Sequence, residues 1–186
     1  MNVTVTKLPA ATRLIVRGGD VAVGIIGRAF GVALPRDPCR ATGTDDRAAL
    51  WLGPDEWLLI AADGEAERLA RGLVHAVGEE PASLVDVSHR QIGITVAGPA
   101  AADALNTFNA LDLHESAFPI GMCTRTLFGK AEIILWRTDR EAFRIEVWRS
   151  FAPYVLGCLD QAIADPSLVG ETAPPDSSPA SSLASR

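Results

Sequence analysis

Asp86, Ser88 and His89 bring an acid, a hydroxyl and an imidazole into one short stretch, the residue types of a hydrolytic triad. A triad needs the imidazole between the nucleophile and the acid. On a strand, Asp86 and Ser88 share one face and His89 points to the other, so adjacent positions cannot deliver that order. The chain also has no Gly-x-Ser-x-Gly elbow. Asp55 and Glu56 are adjacent carboxylates, but acid–base pairs of the glycosidase kind need a set separation across a cleft, and a turn accounts for them more simply. Gly18, Gly19, Gly24, Gly27 and Gly31 follow one apolar stretch and enter another, the right place for a phosphate cradle. Their spacing matches no Gly-x-Gly-x-x-Gly, and Gly19-x-x-x-x-Gly24 is followed by Ile25-Ile26, not by Lys-Ser/Thr. Gly24, Gly27 and Gly31 read instead as allowing close helix packing. Cys39, Cys123 and Cys158, with His75, His89 and His114, are too scattered for zinc-ligand spacing, and the odd, widely spaced cysteines fit a reducing compartment. Trp51, Trp57, Trp136 and Trp148 sit on or beside expected strands, as core or interface aromatics.

The elements that position these residues follow from periodicity and punctuation. Thr12–Arg17 reads as a strand. Gly18-Gly19-Asp20 then turns, with Asp20 as a plausible N-cap for a helix over Val21–Phe30, and Gly31 and Pro35 end it. Residues 35–47 read as loop. Ala48–Leu52 and Glu56–Ala61 form a hairpin around Gly53-Pro54-Asp55. Glu65–Val77 is an amphipathic helix with Leu69, Leu73, Val74 and Val77 at helical spacing. Ser83–Ser88 and Gln91–Ala97 alternate like half-buried strands. Gly98-Pro99 opens a helix carrying Leu105 and Phe108. Residues 109–121 are loop. Three strands follow, over Cys123–Phe128, Ala131–Arg137 and Ala142–Trp148, and Ser150 caps a last helix running to about Ala164. The order is βαββαβ then βαβββα. The expected fold is α+β: two ferredoxin-like halves with antiparallel sheets and helices packed against them.

Composition narrows the function classes. The chain has 186 residues, 48% of them hydrophobic and 22% charged, with formal net charge −6 and a pI of about 5.0. That suits one folded domain over residues 1–164. Residues 165–186 are dominated by Pro, Ser and Ala and are expected to be disordered. An acidic chain lacks the basic face that counterion release requires, so nucleic acid is an unfavoured partner. Arg137, Arg140, Arg144 and Arg149, interleaved with Asp139, Glu141 and Glu146, read as a solvated mixed-charge surface. No apolar run approaches the ~20 residues of a bilayer span. The N-terminus lacks a signal-peptide pattern, and a cytoplasmic location is expected.

Four stretches carry a family pattern. They are Leu52-Gly53-Pro54-Asp55-Glu56-Trp57-Leu58-Leu59; Asp86-Val87-Ser88-His89-Arg90; Leu111-Asp112-Leu113-His114; and a long one from Phe118-Pro119-Ile120-Gly121 through Trp148-Arg149-Ser150-Phe151. In this order, over about residues 12–164, they resemble the gamma subunit of heterotetrameric sarcosine oxidase. The segment Thr107-Phe108-Asn109-Ala110 departs from the family's Cys-Pro-like pair, and the Pro/Ser tail is an addition.

The resemblance implies a non-catalytic subunit of a complex that oxidatively demethylates sarcosine to glycine. Oxygen is reduced to hydrogen peroxide, and the one-carbon unit leaves as methylenetetrahydrofolate when tetrahydrofolate is present. It implies alpha, beta and delta subunits as partners. FAD, FMN, NAD, zinc and tetrahydrofolate would be held by those subunits, and this chain would have no catalytic, cofactor or metal residues. It also implies a fold similar to the folate-binding domain of glycine-cleavage aminomethyltransferases. A permanent subunit needs an apolar interface patch, and Trp57, Arg90 and Arg149 are expected near it. The rival reading is an autonomous folate-binding or one-carbon protein on the same fold, with Asp86 as the pterin-pairing carboxylate.

Overall fold

The run Trp57-Leu58-Leu59-Ile60-Ala61 is apolar at every position, and a strand of that kind must be covered on both faces. The fold supplies both covers. The computed structural model describes residues 2–164, and the tail expected to be disordered lies outside the described residues. In chain order come β1 (Thr4–Lys7), β2 (Ala11–Gly18), α1 (Asp20–Phe30), β3 (Ala41–Gly43), β4 (Ala48–Gly53), β5 (Glu56–Ala62), α2 (Ala66–Val77) and β6 (Ala82–Asp86). The second half runs β7 (Gln91–Ala97), α3 (Ala101–Asn106), β8 (Cys123–Phe128), β9 (Ala131–Asp139), β10 (Ala142–Trp148) and α4 (Ala152–Ala164).

Two five-stranded antiparallel sheets result, ordered β3-β4-β5-β2-β6 and β1-β7-β10-β9-β8. Within the first, β2, β4, β5 and β6 with their two helices make a ferredoxin-like unit. The second has the changed ending that the element order indicated, with β10 inserted between β7 and β9. The N-terminal β1 was not foreseen. It pairs with β7, so the chain begins in the sheet of the second half. Gly98 allows this, because its φ is +129° and any Cβ there would run into the backbone of Asn2.

Alternation along each strand sorts side chains into three cores. Trp57, Leu59, Leu14 and Val16 face α1 and α2, meeting Ile26, Phe30, Leu69 and Leu73. Ile133, Leu135, Phe143 and Ile145 face α3 and α4, meeting Leu105, Val155 and Leu159. The opposite faces meet each other through Leu50, Leu58, Ile60, Cys123 and Ile134. The layers are therefore helix, sheet, sheet, helix.

Several local readings change. Asp20 is not the N-cap. Gly19 holds that position, and the Asp20 carboxylate pairs with Arg36 instead. Residues 35–47 contain β3, a short edge strand. The strand read as Ser83–Ser88 stops at Asp86, because the Asp86 side chain accepts the Ser88 backbone N–H at 2.8 Å and turns the chain. Gly27 does permit close packing, since a Cβ there would sit 3.3 Å from the backbone of Val32 and Leu34. Gly24 instead lines an open groove beside α1, and Gly31 is the left-handed C-cap.

Candidate functional site

Polar chemistry concentrates in the seam where the two sheets face each other. On β2, Arg13 shares its face with Ile15 and points inward. On β10, Glu146 shares its face with Arg144 and Trp148. Arg13 is 1% exposed and Glu146 1%. The Arg13 Nε donates to Glu146 Oε2 at 2.5 Å, and its Nη2 donates to Oε1 at 3.3 Å. Its Nη1 donates to the Ala11 carbonyl at 3.0 Å. Arg144 adds a second guanidinium, with Nε 2.8 Å and Nη2 2.7 Å from Glu146 Oε1. One carboxylate thus serves two arginines, and the cluster carries a net charge of +1. Gly93 on β7 lies opposite Glu146 in the ladder and makes room for it. A Cβ there would meet Arg13 Nη2 at 3.0 Å and Glu146 Oε1 at 3.1 Å.

This cluster corrects the sequence reading of the arginine run. Glu146 is not solvated, and Arg137 is only 5% exposed. Arg137 Nη1 donates to the carbonyls of Leu113 and Phe118 at 3.1 and 2.9 Å, which ties the long loop before β8 to the sheet. Its guanidinium also lies 5.0 Å from the Phe143 ring. Alternation on β9 and β10 was visible in sequence, but the covers were not: the second sheet covers Glu146, and the loop before β8 covers Arg137 on the opposite, helix-side face.

Gln91 and the Arg13–Glu146 pair form a wall between two cavities. The first, of about 180 Å³, is the wedge where the sheets splay, lined by Ile15, Val85, Glu56, Arg125, Arg90 and Trp148. Glu56 pairs with Arg125 across it. At its rim the Arg90 guanidinium stacks on Trp148, 4.2 Å from the ring centroid. Strand register sets Leu127 opposite Glu132 across β8 and β9, and Glu132 lines this cavity together with Trp148. Leu127, Trp148 and Val85 are large apolar side chains left exposed at this corner. The second cavity, of about 330 Å³, is lined by Lys7, Leu8, Pro9, Arg13, Ser88, Gln91, Ile92 and Arg149, among others.

The expected site residues divide. Arg90 and Arg149 come together, with the Arg149 N–H donating to the Arg90 carbonyl at 2.8 Å. Their side chains serve different cavities, Arg90 the first and Arg149 the second. Trp57 is a correction. It is 2% exposed in the helix-side core, and its Nε1 donates to the Pro35 carbonyl at 2.8 Å. Its position on β5 alternates away from the seam, so it presents nothing to a partner. Asp86 lines neither cavity. Its carboxylate accepts the Ser88 hydroxyl at 2.5 Å, and that bond holds it below the usual aspartate range. Acid and hydroxyl therefore bond directly, with no imidazole between them. Asp55 and Glu56 are also separated in role, since Asp55 pairs with Arg17 at 2.9 Å on the surface. Burial pushes the Cys123 thiol up to about 12, with Cys39 nearby adding to the shift. Among the described residues, no group of three or more His, Cys, Asp or Glu side chains is placed to hold a metal ion. No helix there is long and apolar enough to cross a membrane.

Sequence reasoning missed Arg13, Gln91 and Glu146. A weak signal existed: Arg13 interrupts the apolar strand Thr12–Val16 on the face that also carries Ile15.

The double sheet with helices on its outer faces is an α+β fold like that of an aminomethyltransferase. It superposes on the crystal structure of glycine cleavage system aminomethyltransferase T from Bartonella henselae with a TM-score of 0.67, at 14% identity over 87% of this chain and 46% of that one. The chain belongs to the sarcosine oxidase gamma subunit family, whose model matches residues 18–165. Sarcosine oxidase subunit gamma of Corynebacterium sp. (strain P-1) is 32% identical over 88% of this chain and 81% of its own length. The Arthrobacter sp. subunit is 33% identical over 77% and 71%. A chain of heterotetrameric sarcosine oxidase from Corynebacterium sp. U-96, solved with pyrrole 2-carboxylate, superposes with a TM-score of 0.81. It is 32% identical over 87% of this chain and 83% of that one.

Proposed function

We propose that this chain is the non-catalytic gamma subunit of a heterotetrameric sarcosine oxidase and supports assembly of that complex. The observation that carries the reading is the agreement with the Corynebacterium sp. U-96 chain, a TM-score of 0.81 at 32% identity across most of both chains. The complex would demethylate sarcosine oxidatively to glycine, forming hydrogen peroxide and, with tetrahydrofolate, methylenetetrahydrofolate. Alpha, beta and delta subunits would be its partners in the cytoplasm. FAD, FMN, NAD, zinc and tetrahydrofolate would belong to those subunits.

The corner of Arg90 and Trp148, with Val85 and Leu127, is the proposed contact with the larger subunits. Stacked Arg and Trp side chains are the types enriched at interface hot spots. The autonomous folate-binding reading has no comparable support, because Asp86 is committed to Ser88 and lines neither cavity of the seam.

Affinity purification of the tagged chain from its native source tests the proposal. The three partner subunits are expected in equal amounts, and the Trp148→Asp variant is expected to recover them poorly. A chain that emerges alone and binds none of them would overturn it.

A further inference from the structure

We propose that Cys39 and Cys123 are an oxidisable thiol pair, which a hydroperoxide closes into a disulfide between the two sheets. Backbone pairing brings them together. Arg40 and Met122 form an antiparallel bridge, which sets the preceding Cys39 opposite the following Cys123. The Cys123 N–H donates to the Cys39 carbonyl at 3.0 Å, and on the other side of the bridge the Ala41 N–H donates to the Gly121 carbonyl at 2.8 Å. Residues opposed in this way have Cα atoms about 5.5 Å apart, inside the roughly 4.4–6.8 Å that a disulfide spans.

The Cys123 side chain turns toward that partner. Its Sγ lies 3.3 Å from the carbonyl oxygen of Arg40, the residue next to Cys39, and 3.5 Å from that of Trp51. The Arg40 carbonyl also accepts the Trp51 N–H at 3.0 Å, so it stays paired when the thiol hydrogen leaves. The two sulfurs are close enough to interact: burial chiefly, and then the charge of Cys39, raise the Cys123 thiol. Cys158 belongs to a different core, the one under α3 and α4, whereas Cys123 lies between the sheets.

Exposure divides the roles. Cys39 is half-buried and meets the oxidant, while Cys123 is fully buried and meets only Cys39. Among the described residues Cys39 is also the only non-glycine with a positive φ, +58°. Such a conformation is held at a cost, and residues held so cluster at functional sites. The Cys39 thiolate attacks one peroxide oxygen and the O–O bond breaks. Cys39 becomes a sulfenic acid, and the other oxygen leaves as hydroxide and is protonated to water. The Cys123 sulfur then attacks the Cys39 sulfur. The S–S bond forms, the S–O bond breaks, and hydroxide leaves with the Cys123 proton as water. Two thiols and one hydrogen peroxide thus give one disulfide and two waters, with sulfur oxidised and peroxide oxygen reduced. The new bond joins the segment leading into β3, in the first sheet, to β8 in the second, and so staples the sheets together.

The pair is independent of the subunit role, and its test reads sulfur chemistry, not assembly. The full chain, in the assembly in which it purifies, is treated with hydrogen peroxide, alkylated and digested with trypsin without reductant. Mass spectrometry is expected to show residues 37–40 linked to residues 91–125, with the link lost in dithiothreitol. Cys158→Ala is expected to keep the link and Cys39→Ser to lose it. In Cys123→Ala, Cys39 is expected to stop at the sulfenic acid and to be captured by dimedone, which wild type escapes. The linked protein is expected to unfold at a higher urea midpoint than the reduced one. Wild type in which both cysteines stay free, or in which Cys39 reaches the sulfinic acid beside an unaltered Cys123, would overturn the pair. A link that forms only in urea would overturn it too. A linked form no more stable than the reduced one would overturn the staple.

Discussion

Replacing Glu146 by Gln keeps the shape of the side chain and removes its charge, leaving the guanidinium of Arg13 buried without a counter-ion. Arg13 is held by two bonds to Glu146, at 2.5 and 3.3 Å, and its side chain is 2% exposed. With charge centres about 4 Å apart and an effective dielectric of about 20, the lost attraction is about 4 kcal/mol. Breaking a buried pair from one side costs about 3–5 kcal/mol in measured cases. Domains of this size are stable by only about 5–15 kcal/mol, so Glu146→Gln is expected to approach the limit of folding. The companion variant Arg13→Met/Glu146→Leu removes both charges and fills the seam with apolar atoms. Arg144, at 19% side-chain exposure, can then turn toward water. The double variant is expected to recover most of the loss, to within about 1–2 kcal/mol of wild type. Urea denaturation followed by tryptophan fluorescence measures both, at one protein concentration because assembly shifts apparent stability. A Glu146→Gln cost below about 1 kcal/mol, or a double variant as damaged as the single, would refute the picture of an enclosed pair whose main liability is an uncompensated charge.

Gly93→Ala is expected to cost about 1–3 kcal/mol in the same assay, since its Cβ would press on both members of that pair. Trp57→Phe is expected to lose about 1–2 kcal/mol through the bond to the Pro35 carbonyl, while recovery of partner subunits stays at the wild-type level. Ser88→Ala removes the bond that lowers the Asp86 pKa. A depressed carboxylate stabilises the fold above its unfolded value and loses that contribution as pH falls through its folded value. The stability gap between wild type and Ser88→Ala is therefore expected to narrow below about pH 4, and a gap constant down to about pH 2.5 would contradict it. Maleimide labelling of the native protein near neutral pH is expected to mark Cys39 and spare Cys123. Cys123 is fully buried with a thiol pushed up to about 12, and mass spectrometry reads the difference.

Much of the architecture was legible from the chain. Leu69, Leu73 and Val77 at helical spacing gave α2, and the alternation of residues 91–97 gave β7 to the residue. Gly53-Pro54-Asp55 gave the hairpin between β4 and β5. These are local signals, set by backbone sterics and period, and they need no knowledge of neighbours. The order βαββαβ then βαβββα indicated an α+β fold, and the resemblance of the ordered motifs from Leu52 to Phe151 indicated the family.

What tertiary structure alone decided is which polar residues are inside. A charged side chain on a strand reads as solvent-facing until a second sheet is known to cover it. Arg13 and Glu146 are 133 positions apart, and no window of sequence holds both. Trp57, a plausible surface anchor by type, went inward because its face of β5 meets α1 and α2. β1 escaped notice because four residues are too few to declare a strand until β7 offers its edge, with Gly98 leaving space for the chain to pass. Period determined the elements. The pairing of two sheets, a long-range event driven by burial of Leu50, Leu58 and Ile134, determined the seam, its ion pair and its two cavities.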